Sequence, residues 1–189
     1  DAYTGKKLWE EPIDTADGTV VFYMLATEHG LVIQSSTGGK YHLYNHDLKT
    51  GKQKWETAFK WPNDHHSGHM QPPVAVNGRL YLEPSAFDLK TGEKVVDQIG
   101  RRSGCHTYVG TRDALIYRGA GRQIAMWRQE TKKGTAWDRL RPSCWLSVVP
   151  AAGMLLVPEG GGGCSCGGWM ETSLAFRPRG KAKETKSKE

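Results

Sequence analysis

The chain has 189 residues, 38% of them hydrophobic and 24% charged, which is enough apolar content to bury a core and excludes global disorder. No apolar run approaches the roughly 18 to 20 residues that a membrane helix needs, and no signal-peptide apolar region opens the sequence, so a helical membrane span is excluded. The net charge of +6 does not point to nucleic acid, because residues 179–189 alone carry five Lys or Arg against two Glu; this aromatic-free end reads as a solvated, disordered basic tail beyond a folded part at 1–178.

The first element is a turn. Asp1-Ala2-Tyr3-Thr4-Gly5-Lys6-Lys7-Leu8-Trp9-Glu10 returns as Asp47-Leu48-Lys49-Thr50-Gly51-Lys52-Gln53-Lys54-Trp55-Glu56, and its first part returns again as Asp88-Leu89-Lys90-Thr91-Gly92-Glu93-Lys94-Val95. In each copy Asp can cap a tight turn through its carboxylate, Gly supplies the positive φ, and the flanks run extended, so each copy predicts a β-hairpin. The spacings of 46 and 41 residues are those of one four-stranded propeller blade. The chain opens inside a repeat, at a hairpin whose first strand is missing, and therefore reads as the carboxyl-terminal piece of a longer protein, with the remaining blades upstream.

From Thr19 the pattern is strand, turn, strand. Residues 19–26 are β-branched and aromatic, Glu28-His29-Gly30 turns, 31–34 are apolar, 40–46 alternate, and the Asp47 hairpin leads to a fourth strand at 53–58. A second blade follows at 73–76, 79–83, 85–87 and 94–97, with an Asn77-Gly78 hairpin turn. The third is more diverged: strands at 105–110, 114–118 and 122–127, then a turn at 130–134 in place of the Asp-led one. The fourth takes 144–149, 154–158 and 170–176 and lacks its own fourth strand, as when a closed propeller completes its last blade from the other end of the chain. Helical periodicity is nearly absent, so the chain is all-β. Trp9 and Trp55 hold the same place in successive repeats and are expected to dock one blade onto the next.

The Ala-x-Asp-x-x-Thr-Gly-Lys-x-x-Trp type of repeat resembles that of the pyrroloquinoline quinone (PQQ) repeat, quinoprotein alcohol dehydrogenase-like β-propellers. The resemblance covers most of residues 1–178 and implies about four four-stranded antiparallel blades, the carboxyl-terminal part of a seven- or eight-bladed ring. A narrower likeness, carried by Arg141-Pro142-Ser143-Cys144-Trp145, Pro158-Glu159, Gly163-Cys164-Ser165-Cys166 and Thr172-Ser173, is to the end of a group of large bacterial propeller proteins, and implies a periplasmic or extracellular setting. The repeat is shared by quinone-binding dehydrogenases and by non-catalytic scaffolds, so the fold alone does not choose a reaction. The first expectation is an exported binding or scaffold module, taking a small molecule or a protein on its loop face. The alternative is an oxidoreductase or metal-dependent enzyme holding PQQ or a transition metal.

Propeller topology places the loops leading into each blade on one face and the Thr-Gly hairpins on the other. The loop face then collects Asp64-His65-His66-Ser67-Gly68-His69, Cys105-His106, residues 141–145 and Cys164-Ser165-Cys166, with Cys105, His106, Cys144 and Trp145 beginning innermost strands. His65, His66 and His69 suit a transition metal or general acid/base work, and otherwise read as a polar surface loop. His106 and Arg141 complete the catalytic candidates of the enzyme alternative. The four cysteines allow disulfides, a zinc site or free thiols. The absence of an adjacent Cys-Cys pair weakens a quinone site in this part. The expectation among the disulfides is that Cys164 and Cys166 pair separately with Cys105 and Cys144, because a short glycine-flanked loop reaches both while a direct Cys105–Cys144 bond would need Cα atoms within roughly 7 Å. The run Gly160 to Gly163 lacks the Gly-Lys-Ser/Thr ending of a phosphate loop and reads as slack for that cysteine loop.

Overall fold

The computed structural model describes residues 1–12, 21–62, 71–138, 140, 148–158 and 172–178. Those residues form four antiparallel sheets, each in simple sequence order and with no α-helix among them. The first holds β1 (Val21–Thr27), β2 (Gly30–Thr37), β3 (Lys40–His46) and β4 (Gln53–Lys60). The second holds β5 (Val74–Val76), β6 (Arg79–Leu82), β7 (Ser85–Asp88) and β8 (Lys94–Val96). The third holds β9 (Val109–Gly110), β10 (Ala114–Arg118), β11 (Ile124–Arg128) and β12 (Gly134–Trp137). The last has three strands among the described residues: β13 (Val149–Ala151), β14 (Met154–Val157) and β15 (Leu174–Phe176).

The sheets stack in series, and the period of two explains how. In β6, Leu80 and Leu82 join Val32, Tyr41, Leu43 and Trp55 of the first sheet, whereas Tyr81 between them points the other way, into a core with Tyr108, Leu115, Tyr117 and Trp127 of the third. In β10, Leu115 and Tyr117 face the second sheet while Ile116 packs with Val148 and Val157 of the fourth. A middle sheet thus has two buried faces, which is why its strands read as apolar runs rather than as alternation with polar residues.

The three Asp-led turns are built alike. In the second copy the Asp47 carboxylate accepts the backbone N–H groups of Lys49 and Thr50 at 3.0 and 2.9 Å, Gly51 N–H donates to the Asp47 carbonyl at 2.9 Å, and Asp47 N–H donates to Lys52 O at 2.8 Å. Asp88 repeats each of these bonds with Lys90, Thr91, Gly92 and Glu93, and Asp1 does so with Tyr3, Thr4, Gly5 and Lys6. The tryptophans dock as expected. Trp9 Nε1 donates to Leu48 O at 2.9 Å with its ring over Gly51, and Trp55 Nε1 donates to Leu89 O at 3.2 Å with its ring over Gly92. A Cβ on either glycine would lie 2.7 Å from the indole, so glycine is required there twice over, for φ (+73° and +77°) and for the ring.

Three expectations need correction. The strand expected at 105–110 is only Val109–Gly110, because Cys105 and His106 lie in a turn closed by His106 N–H donating to Gly104 O at 2.9 Å; neither begins an innermost strand. The third hairpin turns at Arg128 to Lys133 rather than 130–134: Lys132 N–H donates to Arg128 O and Arg128 N–H to Lys133 O, each at 2.9 Å. Lys132, not a glycine, takes the positive φ of +55°, and Gly134 is already in β12. Of the strand expected at 170–176, residues 170 and 171 lie outside the described residues and the rest begins only at Leu174, as Leu174–Phe176. The expected strand start at 144–147 and the basic tail at 179–189 lie outside the described residues.

Candidate functional site

The loop face, opposite the Thr-Gly hairpins, carries the segment between β8 and β9 and the β6–β7 turn. Here the chain buries charge. Arg102 Nε sits 3.0 Å from Glu83 Oε2, with the two side chains 0% and 3% exposed. Glu83 ends the apolar Leu80-Tyr81-Leu82 run, so β6 delivers a carboxylate to the seam between the second and third sheets, and Arg102 meets it from the following segment. Arg102 Nη1 also donates to Gly104 O at 2.6 Å.

Arg118, at the end of β10, extends the cluster. Its Nε donates to Ser103 O at 2.8 Å, its carbonyl accepts Ser103 N–H at 2.7 Å, and its N–H donates to His106 Nδ1 at 3.2 Å. Gly104 has φ +67°, and a Cβ there would lie 2.2 Å from Arg118 Nη2, so the guanidinium occupies space that only glycine leaves. Tyr108 donates its hydroxyl to Gly100 O at 2.6 Å.

His106 is fully buried. Burial first, then the positive charges of Arg118 and Arg102, push its pKa down to about 4 from 6.5, against a smaller upward effect of a backbone hydrogen bond at Thr107. The ring is therefore neutral near pH 7. Because Nδ1 accepts a backbone N–H, the ring proton is assigned to Nε2. Burial, with the Glu83 carboxylate next in weight, raises the Tyr108 hydroxyl well above its ordinary range. Such an arrangement holds a fixed neutral imidazole and an internal ion pair; it does not present a base that titrates near neutrality.

Of the residues singled out from sequence, the structure describes Cys105 and His106 as neighbours on this turn. Cys105 is half-buried and its thiol is unbridged in the structure. His65, His66, His69, Arg141, Cys144, Cys164 and Cys166 lie outside the described residues. Among the described residues no three His, Cys, Asp or Glu side chains come together as a metal site. Sequence reasoning missed Glu83, Arg102 and Arg118. A signal existed for one of them, an acid placed directly after the apolar run Leu80-Tyr81-Leu82 and before Pro84.

Simple strand order, double-faced cores and indole docking from sheet to sheet describe the blades of a propeller. The fold is propeller-like, with no closed ring among the described residues. No protein-family model matches the chain, and no curated protein matches it in sequence. Solved structures do. BamB from Moraxella catarrhalis is 17% identical, over 76% of this chain and 46% of that one, with a TM-score of 0.48. The computationally designed Ika8 protein is 11% identical, over 82% of this chain and 45% of that one, with a TM-score of 0.51. This chain thus spans less than half the length of either. At that identity the likeness to Ika8 concerns the fold alone.

Proposed function

We infer that the chain is part of an exported β-propeller of the PQQ-repeat type that serves as a binding or scaffold module in the periplasm or outside the cell. The observation that carries this reading is the use made of the polar groups on the loop face. Glu83, Arg102, Arg118 and His106 are spent on one another and on backbone, and His106 is buried and neutral. A propeller built this way holds its blades rigidly and offers surface to a partner. Further blades of the ring are its first partners, and a small molecule or protein on the loop face its ligand.

Elemental analysis with an absorption spectrum of the intact protein tests the reading. A metal-free, colourless protein is expected. Stoichiometric metal that falls when His65, His66 or His69 is replaced by Ala, or a quinone chromophore, would instead establish the enzyme alternative with His65, His66, His69, His106 and Arg141 around its site. Export carries a second expectation, that in an oxidising compartment Cys164 and Cys166 bridge separately to Cys105 and Cys144. Non-reducing peptide mapping decides it: four free thiols, a Cys164–Cys166 bond or a zinc bound by the thiolates would each overturn the pairing.

A further inference from the structure

At two successive junctions on the hairpin face, an indole of one repeat closes the gap against the next hairpin: Trp9 on Gly51, then Trp55 on Gly92. The third junction breaks the series. Val96 stands in β8 where Trp55 stands in β4, each paired across its sheet with the residue two before the Asp-equivalent position (Ala86 and Asn45), and each following a shift in register. Lys132 stands where Gly51 and Gly92 stand, keeping the positive φ but adding a Cβ where an indole would lie. The two changes are reciprocal. They leave a cleft of about 650 Å³ between the second and third sheets, within the range of ligand-binding pockets.

What surrounds the cleft defines what would fill it. Exposed Val95 gives it an apolar wall beside Val96, which packs into the core with Tyr81 and Trp127, and Arg79, Arg112, Arg128 and Lys132 stand around it against two carboxylates, Glu130 and Asp113, the latter paired with Arg112 at 3.3 Å. Its inner side is fixed: Tyr81 donates its hydroxyl to Gln129 Oε1 at 2.9 Å, Gln129 Nε2 donates to Thr111 O at 2.9 Å, and Asn77 Nδ2 donates to Arg112 O. At the preceding junction the Leu89 carbonyl takes hydrogen bonds from both Asn45 Nδ2, at 3.1 Å, and Trp55 Nε1, at 3.2 Å. The matching carbonyl here is that of Gln129, and the residues matching Asn45 and Trp55 are Ala86 and Val96, neither of which carries a side-chain donor. Among the described residues the Gln129 carbonyl has no such side-chain donor, so the cleft offers a backbone acceptor, cations and an apolar wall together.

We propose that this cleft is a docking site for an acidic peptide segment of a partner protein, with a backbone N–H of the segment on Gln129 O, an aliphatic side chain against Val95, and carboxylates on Arg79, Arg128 and Lys132. A peptide supplies all three features in one chain; a free phosphate supplies only the charge. The site stands apart from the loop-face reading above, since it opens on the opposite face.

The test is fluorescence anisotropy of the full chain with a labelled octapeptide of alternating Glu and Leu. Saturable, salt-sensitive binding is expected, weakened at least about tenfold by the pair Arg128→Glu and Lys132→Glu. It should be unaffected by the pair Lys49→Glu and Lys90→Glu, which changes net charge equally on the Asp47 and Asp88 hairpins. Filling the cleft with Val96→Trp and Lys132→Gly should abolish binding. No saturable binding, equal loss in both charge-reversal pairs, or displacement of the peptide by inorganic phosphate as readily as by unlabelled peptide would overturn the proposal.

Discussion

His106 shows what a single buried side chain contributes. Its pKa is about 4 in the folded chain and 6.5 when unperturbed, so between those values the unfolded chain binds more protons and folding weakens as pH falls. The contribution is fully present above about pH 6.5, and its loss down to about pH 4 amounts to about 3 kcal/mol. Asp47 and Asp88 act in a lower window. Their pKa values are depressed chiefly by the backbone N–H of Thr50 and of Thr91, so their stabilisation is lost only as pH falls below the ordinary carboxylate range. The variant His106→Asn keeps an acceptor for Arg118 N–H and removes the titration. Urea midpoints measured at several pH values between 4 and 7 should therefore flatten in the variant; an unchanged slope would mean that another group carries the effect.

Among the elements, the Asp-led hairpins show why part of this structure could be read directly. Every atom that closes them lies within six residues, from the Asp to the residue after the glycine, so the local sequence contains the whole cause. The third hairpin keeps the backbone bonds of its siblings but has Arg128 for Asp and Lys132 for Gly, so its position was misread by about two residues. The segment before β9 failed for a different reason. Cys105 and His106 follow a long-range cause, the Arg118 main chain and guanidinium twelve or more residues away, and no local pattern announces it. The indole contacts can be isolated by comparing two alanine substitutions. Gly78 and Gly92 both have positive φ, but only Gly92 faces a ring. Gly92→Ala and Gly78→Ala should each cost about 1 to 3 kcal/mol from backbone strain. Gly92→Ala should cost measurably more in thermal unfolding, and equal losses would show that the Trp55 contact adds nothing.

For the whole molecule, the stack of sheets ends on apolar surface. Phe22 and Met24, the latter 65% exposed, lie on the outer face of the first sheet, and Val149 and Met154 are exposed on that of the fourth. A stack whose two outer faces, among the described residues, carry exposed apolar side chains should associate through them. Sedimentation of the full chain is expected to show concentration-dependent oligomers, shifted towards monomer by Met24→Glu. A monodisperse monomer at all concentrations would argue that these faces are stable in water.

The indole docking also has a direction. Each tryptophan belongs to the earlier repeat and each receiving hairpin to the later one, so stability is handed forward along the chain, as in an array of coupled neighbours. A ribosome making this chain releases Trp55 before the Asp88 hairpin, and the hairpin emerges to find its anchor already waiting. At Val96 that succession stops. The third sheet then has to organise on the second through the Gln129 bonds and the core around Tyr81 and Trp127, which makes this the first boundary without an indole link. Native-state hydrogen exchange should accordingly resolve two protected groups of amides, one in residues 21–96 and one in the later sheets. A single uniform opening energy across both would show that the core shared by Tyr81, Tyr108 and Trp127 is enough to bind them into one unit.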